Sequence, residues 1–236
     1  RDVEVPKAMP NIQECDGEIY LTYRDIYKFD KINHTFSDEN KVLSFGTSTV
    51  YSNCTDHKDD KYEVQDELFT KLFITKNNDM YYYVKVDDIY TAYKYNKETK
   101  LFEIWFAEDS SREIFLGEMT SIKETSLGVI LLTSNPDNDY SRKNVVNLTR
   151  KEIMAKPPAS VSENTSLYKI TDIVEFGEKR TMLLLAQYDY DRSSVDYGEF
   201  IFEYDYNTNV FSRYSEYSSR LFNDTNPGDH HVTKFV

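Results

Sequence analysis

The sequence has no apolar run near the roughly 18–20 residues that a membrane-crossing helix needs. Its longest, Met182-Leu183-Leu184-Leu185-Ala186 and Val129-Ile130-Leu131-Leu132, have the length of buried strands. Basic charge is also short: 28 Lys and Arg stand against 41 Asp and Glu, a net charge of −13 spread along the whole chain. Such a surface repels phosphate backbones and anionic lipid, so neither nucleic acid nor an inserted membrane segment is expected. It attracts cations instead, and a basic protein patch or a small amine is the partner class it selects; the same charge keeps the chain soluble. Cysteine is limited to Cys15 and Cys54, an even number suited to one disulfide. Helix signals are scarce, with only Ser110 to Leu116 and Arg150 to Lys156 able to hold a turn or two. Catalytic signatures are missing too. There is no Gly-x-Ser-x-Gly elbow, and the four histidines, His34, His57, His230 and His231, fall in expected turns or in the tail. His230 and His231 are adjacent, so in an extended tail they point apart and make a poor zinc pair. With no catalytic set visible, the chain reads as a binding protein before an enzyme.

What the chain has is aromatics. Tyr contributes 20 residues and Phe 14. Both favour pleated, half-buried surfaces, so the composition leans to strands and argues against disorder. At 236 residues the chain fits one all-β domain spanning 1–236. Five Asn-x-Ser/Thr sequons, at Asn33, Asn53, Asn147, Asn164 and Asn223, have no Pro in the middle position. Together with the cysteine pair they point to an extracellular, secreted glycoprotein. Beginning at Arg1 with no Met, the chain reads as a mature form from which an export signal has been removed.

An eight-residue pattern recurs: aromatic, Asp or Asn, two residues, Asn or Thr, two residues, Phe. It stands at Phe29 to Phe36, Tyr95 to Phe102 and Tyr204 to Phe211, with a degenerate copy from Val146 to Ile153. An Asp or Asn folding back on its own backbone starts a turn, the middle is polar, and the flanking aromatics face each other across two strands. Before each copy lie two further strand-like runs joined by a short turn. The units 1–40, 66–107, 112–155 and 167–215 therefore read as strand, turn, strand, loop, strand, Asx turn, strand. Each is a four-stranded antiparallel meander.

Four-stranded units at this period are the signature of β-propeller blades. Tyr204 to Phe211 resembles the third-to-fourth strand turn of a kelch blade, over some eight residues per unit, although the paired glycines of kelch blades and Trp-Asp pairs are missing. The resemblance implies a propeller, which chain length limits to four or five blades. The alternative is a β-sandwich whose unrelated hairpins reuse the same turn chemistry.

Two connections between second and third strands carry the candidate binding chemistry. One holds Asp137 and Asp139; the other, from Gln187 to Glu199, holds Tyr188, Asp189, Tyr190, Asp191 and Tyr197. Asp137, Asp139 and Asp189 are hard oxygen ligands of the kind calcium takes, although neither segment continues into an EF-hand pattern. Tyr188, Tyr190, Asp191 and Tyr197 are candidate ligand contacts, since tyrosine offers rigid contact area with a polar tip. In an exported protein the acidic flanks also suit these tyrosines to sulfation. Three functions follow: a secreted binder of a protein or small cationic ligand, a secreted calcium-dependent hydrolase with carboxylates converging at a propeller mouth, and a self-associating structural protein. Convergent carboxylates would single out the hydrolase, and a monomer at high concentration would exclude self-association.

Overall fold

The computed structural model describes residues 10–48, 50–51, 71–134, 145–154, 167–176, 181–188, 199–205, 208 and 210–213. For 50–51, 167–171, 176, 181–188, 199–202, 211 and 213 only the backbone is described. The chain divides into two compact units, Arg1–Glu108 and Asp109–Val236.

The first unit holds two antiparallel sheets. Sheet one runs β1 (Asn11–Cys15), β2 (Glu18–Tyr23), β3 (Asp25–Lys28) and β4 (Lys41–Leu43), each hydrogen-bonded to the next. Asp16 and Gly17, both at positive φ, turn β1 into β2. A short 3-10 turn, Asp38–Asn40, separates the Asx turn from β4. Sheet two is built on β7 (Met80–Val86), β8 (Ile89–Asn96) and β9 (Leu101–Ala107). Two short strands, β5 (Val50–Tyr51) and β6 (Phe73–Ile74), pair with opposite ends of β7. The two sheets share one core: Tyr20, Ile26, Val42 and Leu43 meet Met80, Tyr82, Val84, Tyr93, Tyr95 and Phe102. Edge-on ring contacts join them, Tyr20 to Tyr95 at 6.0 Å and Phe45 to Tyr93 at 5.6 Å. Gln13 adds a polar clamp, its Nε2 donating to Leu72 O at 2.9 Å while Leu72 N–H donates to its Oε1 at 2.6 Å.

The second unit repeats the plan. Its sheets are β10 (Met119–Thr125), β11 (Gly128–Thr133), β12 (Val145–Asn147) and β13 (Glu152–Ile153), then β14 (Leu167–Phe176), β15 (Thr181–Tyr188), β16 (Glu199–Asp205) and β17 (Val210–Arg213). β14 lies against β10 and β11. A buried carboxylate crosses this contact: Asp172, 2% exposed, pairs with Lys123 Nζ at 3.0 Å. Ser126 N–H donates to Glu175 Oε2 at 2.9 Å, and its hydroxyl donates to Glu175 Oε1.

The expected class therefore holds: the protein is mostly β and its sheets are repeated antiparallel meanders. The 3-10 helix Ser110–Arg112 falls where a helical turn was expected, with Asp109 accepting from Ser111 N–H as its cap. The second helical expectation fails. Residues 148–151 form a turn and Glu152–Ile153 a strand, because Asn147 closes a hairpin there.

Candidate binding face

Each sheet has two ends of different character. At one end, in the three sheets whose turns are described, the first-to-second strand turn and the Asx turn stand side by side. The described residues of the Asx turns repeat the same bonds in all four sheets. Asp30 pairs with Thr35 across a bridge, and Asn96 with Leu101, Asn147 with Glu152, and Asp205 with Val210 are partners in register, so four residues always intervene. In each, the first residue's side-chain oxygen accepts the N–H three positions on: Asn33 to Asp30 at 3.1 Å, Thr99 to Asn96 at 3.3 Å, Arg150 to Asn147 at 3.0 Å and Thr208 to Asp205 at 3.4 Å. The next residue is left-handed where described, with φ of 55° at His34, 62° at Lys100 and 56° at Lys151. One αL residue thus closes each four-residue hairpin where its φ is described. The flanking rings meet as the pattern implies, Phe29 with Phe36 at 5.1 Å and Tyr95 with Phe102 at 5.3 Å.

Three of the sheets tie this turn to the neighbouring one in the same way. Lys31 Nζ donates to Gly17 O at 2.8 Å, Lys97 Nζ to Asn77 O at 3.2 Å, and Asn147 Nδ2 to Leu127 O at 3.1 Å. The turn end is closed by its own hydrogen bonds.

At the other end lie the second-to-third strand connections. In sheet one this is Arg24 alone, whose guanidinium donates to Gly46 O at 2.7 Å and Ser48 O at 3.3 Å. In sheet two it is Asp87-Asp88, both at positive φ as a two-residue hairpin requires, with Lys85 Nζ 3.2 Å from Asp88. In sheets three and four the connections are long, framed by Ser134, whose N–H donates to Glu118 O at 2.7 Å, and by the Gln187–Glu199 pair; in the first, Asp137 and Asp139 are balanced by Arg142 and Lys143, and the second is net acidic. Asp137, Asp139, Asp189, Tyr190, Asp191 and Tyr197 lie outside the described residues. Tyr188 ends β15, its Cα paired with Leu167. Among the described residues no three His, Cys, Asp or Glu side chains gather as a metal would need.

The sequons differ sharply. Asn33 is exposed in its turn, its Nδ2 donating to Asp30 Oδ2 at 2.8 Å. Asn147 is fully buried, with Nδ2 and Oδ1 both engaged as above. Asn147 spends that nitrogen on the bond to Leu127, which a glycan there would break. It is a turn-forming residue. Asn53, Asn164 and Asn223 lie outside the described residues, as does Cys54. Cys15 is buried, its thiol 4.0 Å from Asn78 O, and burial, with the nearby Asp16 and Glu14 carboxylates, pushes its ionisation upward.

Several polar groups inside the first unit have no local signal in the sequence. Asp25 is 7% exposed and accepts from Phe45 N–H at 3.1 Å and from Lys41 Nζ at 2.9 Å. The hydrogen bonds of Lys41 to Asp25 and Asp38 hold its ammonium above the usual lysine range. Burial drives the Tyr82 phenol well above its ordinary value, and the charge of Asp25 adds to this. On the opposite face of sheet two, Lys94 lies between the rings of Trp105 and Tyr81, at 4.9 and 5.3 Å. The readable signal was a lysine inside the aromatic strand Ala92-Tyr93-Lys94-Tyr95. No known protein family matches the chain, and no curated protein matches it in sequence.

Proposed function

We propose that the protein is an exported, glycosylated binding protein that offers its long connections, above all the acidic, tyrosine-rich one from Gln187 to Glu199, to a basic protein patch or a small cationic ligand. The observation that carries this is the asymmetry of the sheets: turns at one end are closed by repeated hydrogen bonds, and both long connections leave from the other. Connections held by a regular scaffold are a common place for a recognition surface. The net charge of −13 favours a cationic partner. Cys15 and Cys54 would form the disulfide, and Asn33 would carry a glycan.

A small β-propeller, one blade per sheet, is the architecture this reading favours. A two-layer sandwich leaves one face of each sheet wet. In β7, by contrast, Met80 to Val84 are buried without alternation, and in β11 so are Val129 to Thr133. Sheets covered on both faces suit stacked blades.

A lysine-rich peptide titrated into the intact protein tests the reading. Binding should weaken as salt rises and vanish when Asp189, Asp191 and Asp196, the three aspartates between Gln187 and Glu199, are all changed to Asn. Binding indifferent to salt, or unchanged in that variant, would count against it.

A further inference from the structure

Tyr81, Lys94 and Glu103 are cross-strand partners on β7, β8 and β9, so Tyr81 and Lys94 share one face of sheet two. One residue on, the register breaks: Tyr93 pairs with Ile104 but Ala92 with Phe106, leaving Trp105 as the extra residue of a β-bulge. A bulge re-aims its side chain. Trp105 stands two residues beyond Glu103, the cross-strand partner of Lys94, and Lys94 Nζ lies 4.9 Å from the Trp105 ring centre and 5.3 Å from that of Tyr81. Both distances fall inside the roughly 6 Å over which a ring face attracts a cation. The Asp79 carboxylate completes the surround at 3.6 Å, and Lys97 braces its other oxygen at 3.6 Å. Two ring faces and one carboxylate around a nitrogen are the elements of an ammonium cage. The Lys94 side chain is 23% exposed, so the cage opens to solvent along the path that this side chain fills.

We propose that Tyr81, Trp105 and Asp79 form an ammonium-binding cage whose resident in the free protein is the protein's own Lys94, and which takes a primary or N-methylated ammonium ion once that side chain is withdrawn. The cage is separate from the binding face proposed above and does not depend on it. Lys94→Ala leaves a space the length of propylammonium, with the rings and the carboxylate still held by β7, the bulge and Lys97. A ligand of so few atoms binds weakly, with a dissociation constant on the order of 1 mM.

Trp105 is the chain's one tryptophan, so its fluorescence reports this site alone. In Lys94→Ala, propylammonium and tetramethylammonium chlorides should each produce a saturable change that sodium chloride at equal ionic strength does not. Adding Asp79→Asn should weaken that binding. The wild type and Lys94→Met, in which the space is filled, should not respond. A folded Lys94→Ala protein without a saturable response overturns the proposal, as does an equal response in Lys94→Met. Should Lys94→Ala fail to fold, the wild type still decides. After reductive methylation with labelled formaldehyde, one dimethyl-lysine resonance should be displaced upfield by the rings and return to the bulk in Trp105→Leu. No displaced resonance would overturn the cage.

Discussion

Asn147 and Asn33 occupy related hairpins and share the sequon chemistry, yet they do opposite work. Asn147 is fully buried and makes two hydrogen bonds that hold its hairpin, so removing it loses both bonds and leaves its space unfilled. Asn147→Ala should therefore cost about 2–4 kcal/mol in urea unfolding, whereas Asn33→Ala should stay within about 0.5 kcal/mol. The sequon could be read from three letters; the burial of Asn147 depends on where β11 and β12 pack, which no local pattern encodes. Glycines divide in the same way. A Cβ on Gly117 would stand 1.6 Å from the backbone oxygen of Ser134, so Gly117→Ala must displace backbone at the frame of the long connection. Its cost should exceed about 3 kcal/mol by the same assay. Gly17, at φ +74° with open space around it, should tolerate Ala at about 1 kcal/mol.

The hairpins were the legible elements. An Asp or Asn, a polar middle and paired aromatics are all within eight residues, and the bonds that close the turn are equally local. The bulge at Trp105 and the buried acids Asp25 and Asp172 were not legible, because they depend on register slips and on sheets meeting across the core. The same packing produces the tyrosine environment of the first unit. Burial, reinforced by neighbouring Tyr95, holds the Tyr20 phenol far above its ordinary value, and burial does the same at Tyr82. Unfolded tyrosine ionises near pH 10. Since the folded values are higher, this stabilisation is complete below about pH 10 and is lost as pH rises through them. Tyrosinate absorbance should then grow in two phases: exposed rings first, and buried rings only as the β signal in circular dichroism collapses. A single phase near pH 10 with the β signal intact would show that the rings are not buried.

At the scale of the whole molecule, strand content, the meander and the sheet class followed from composition and repeat. The identity of a partner did not follow, because recognition rests on how separate connections converge and not on any one of them. Export and fold nevertheless meet at a single observable. Asn33 sits in an exposed turn, where a glycan would stay in water, and Asn147 is fully buried. Glycopeptide mapping of the folded protein, secreted by eukaryotic cells, measures both at once. The prediction is a glycan at Asn33 and an unmodified Asn147. A bare Asn33 would contradict export with glycosylation, and an occupied Asn147 in folded material would contradict the fold.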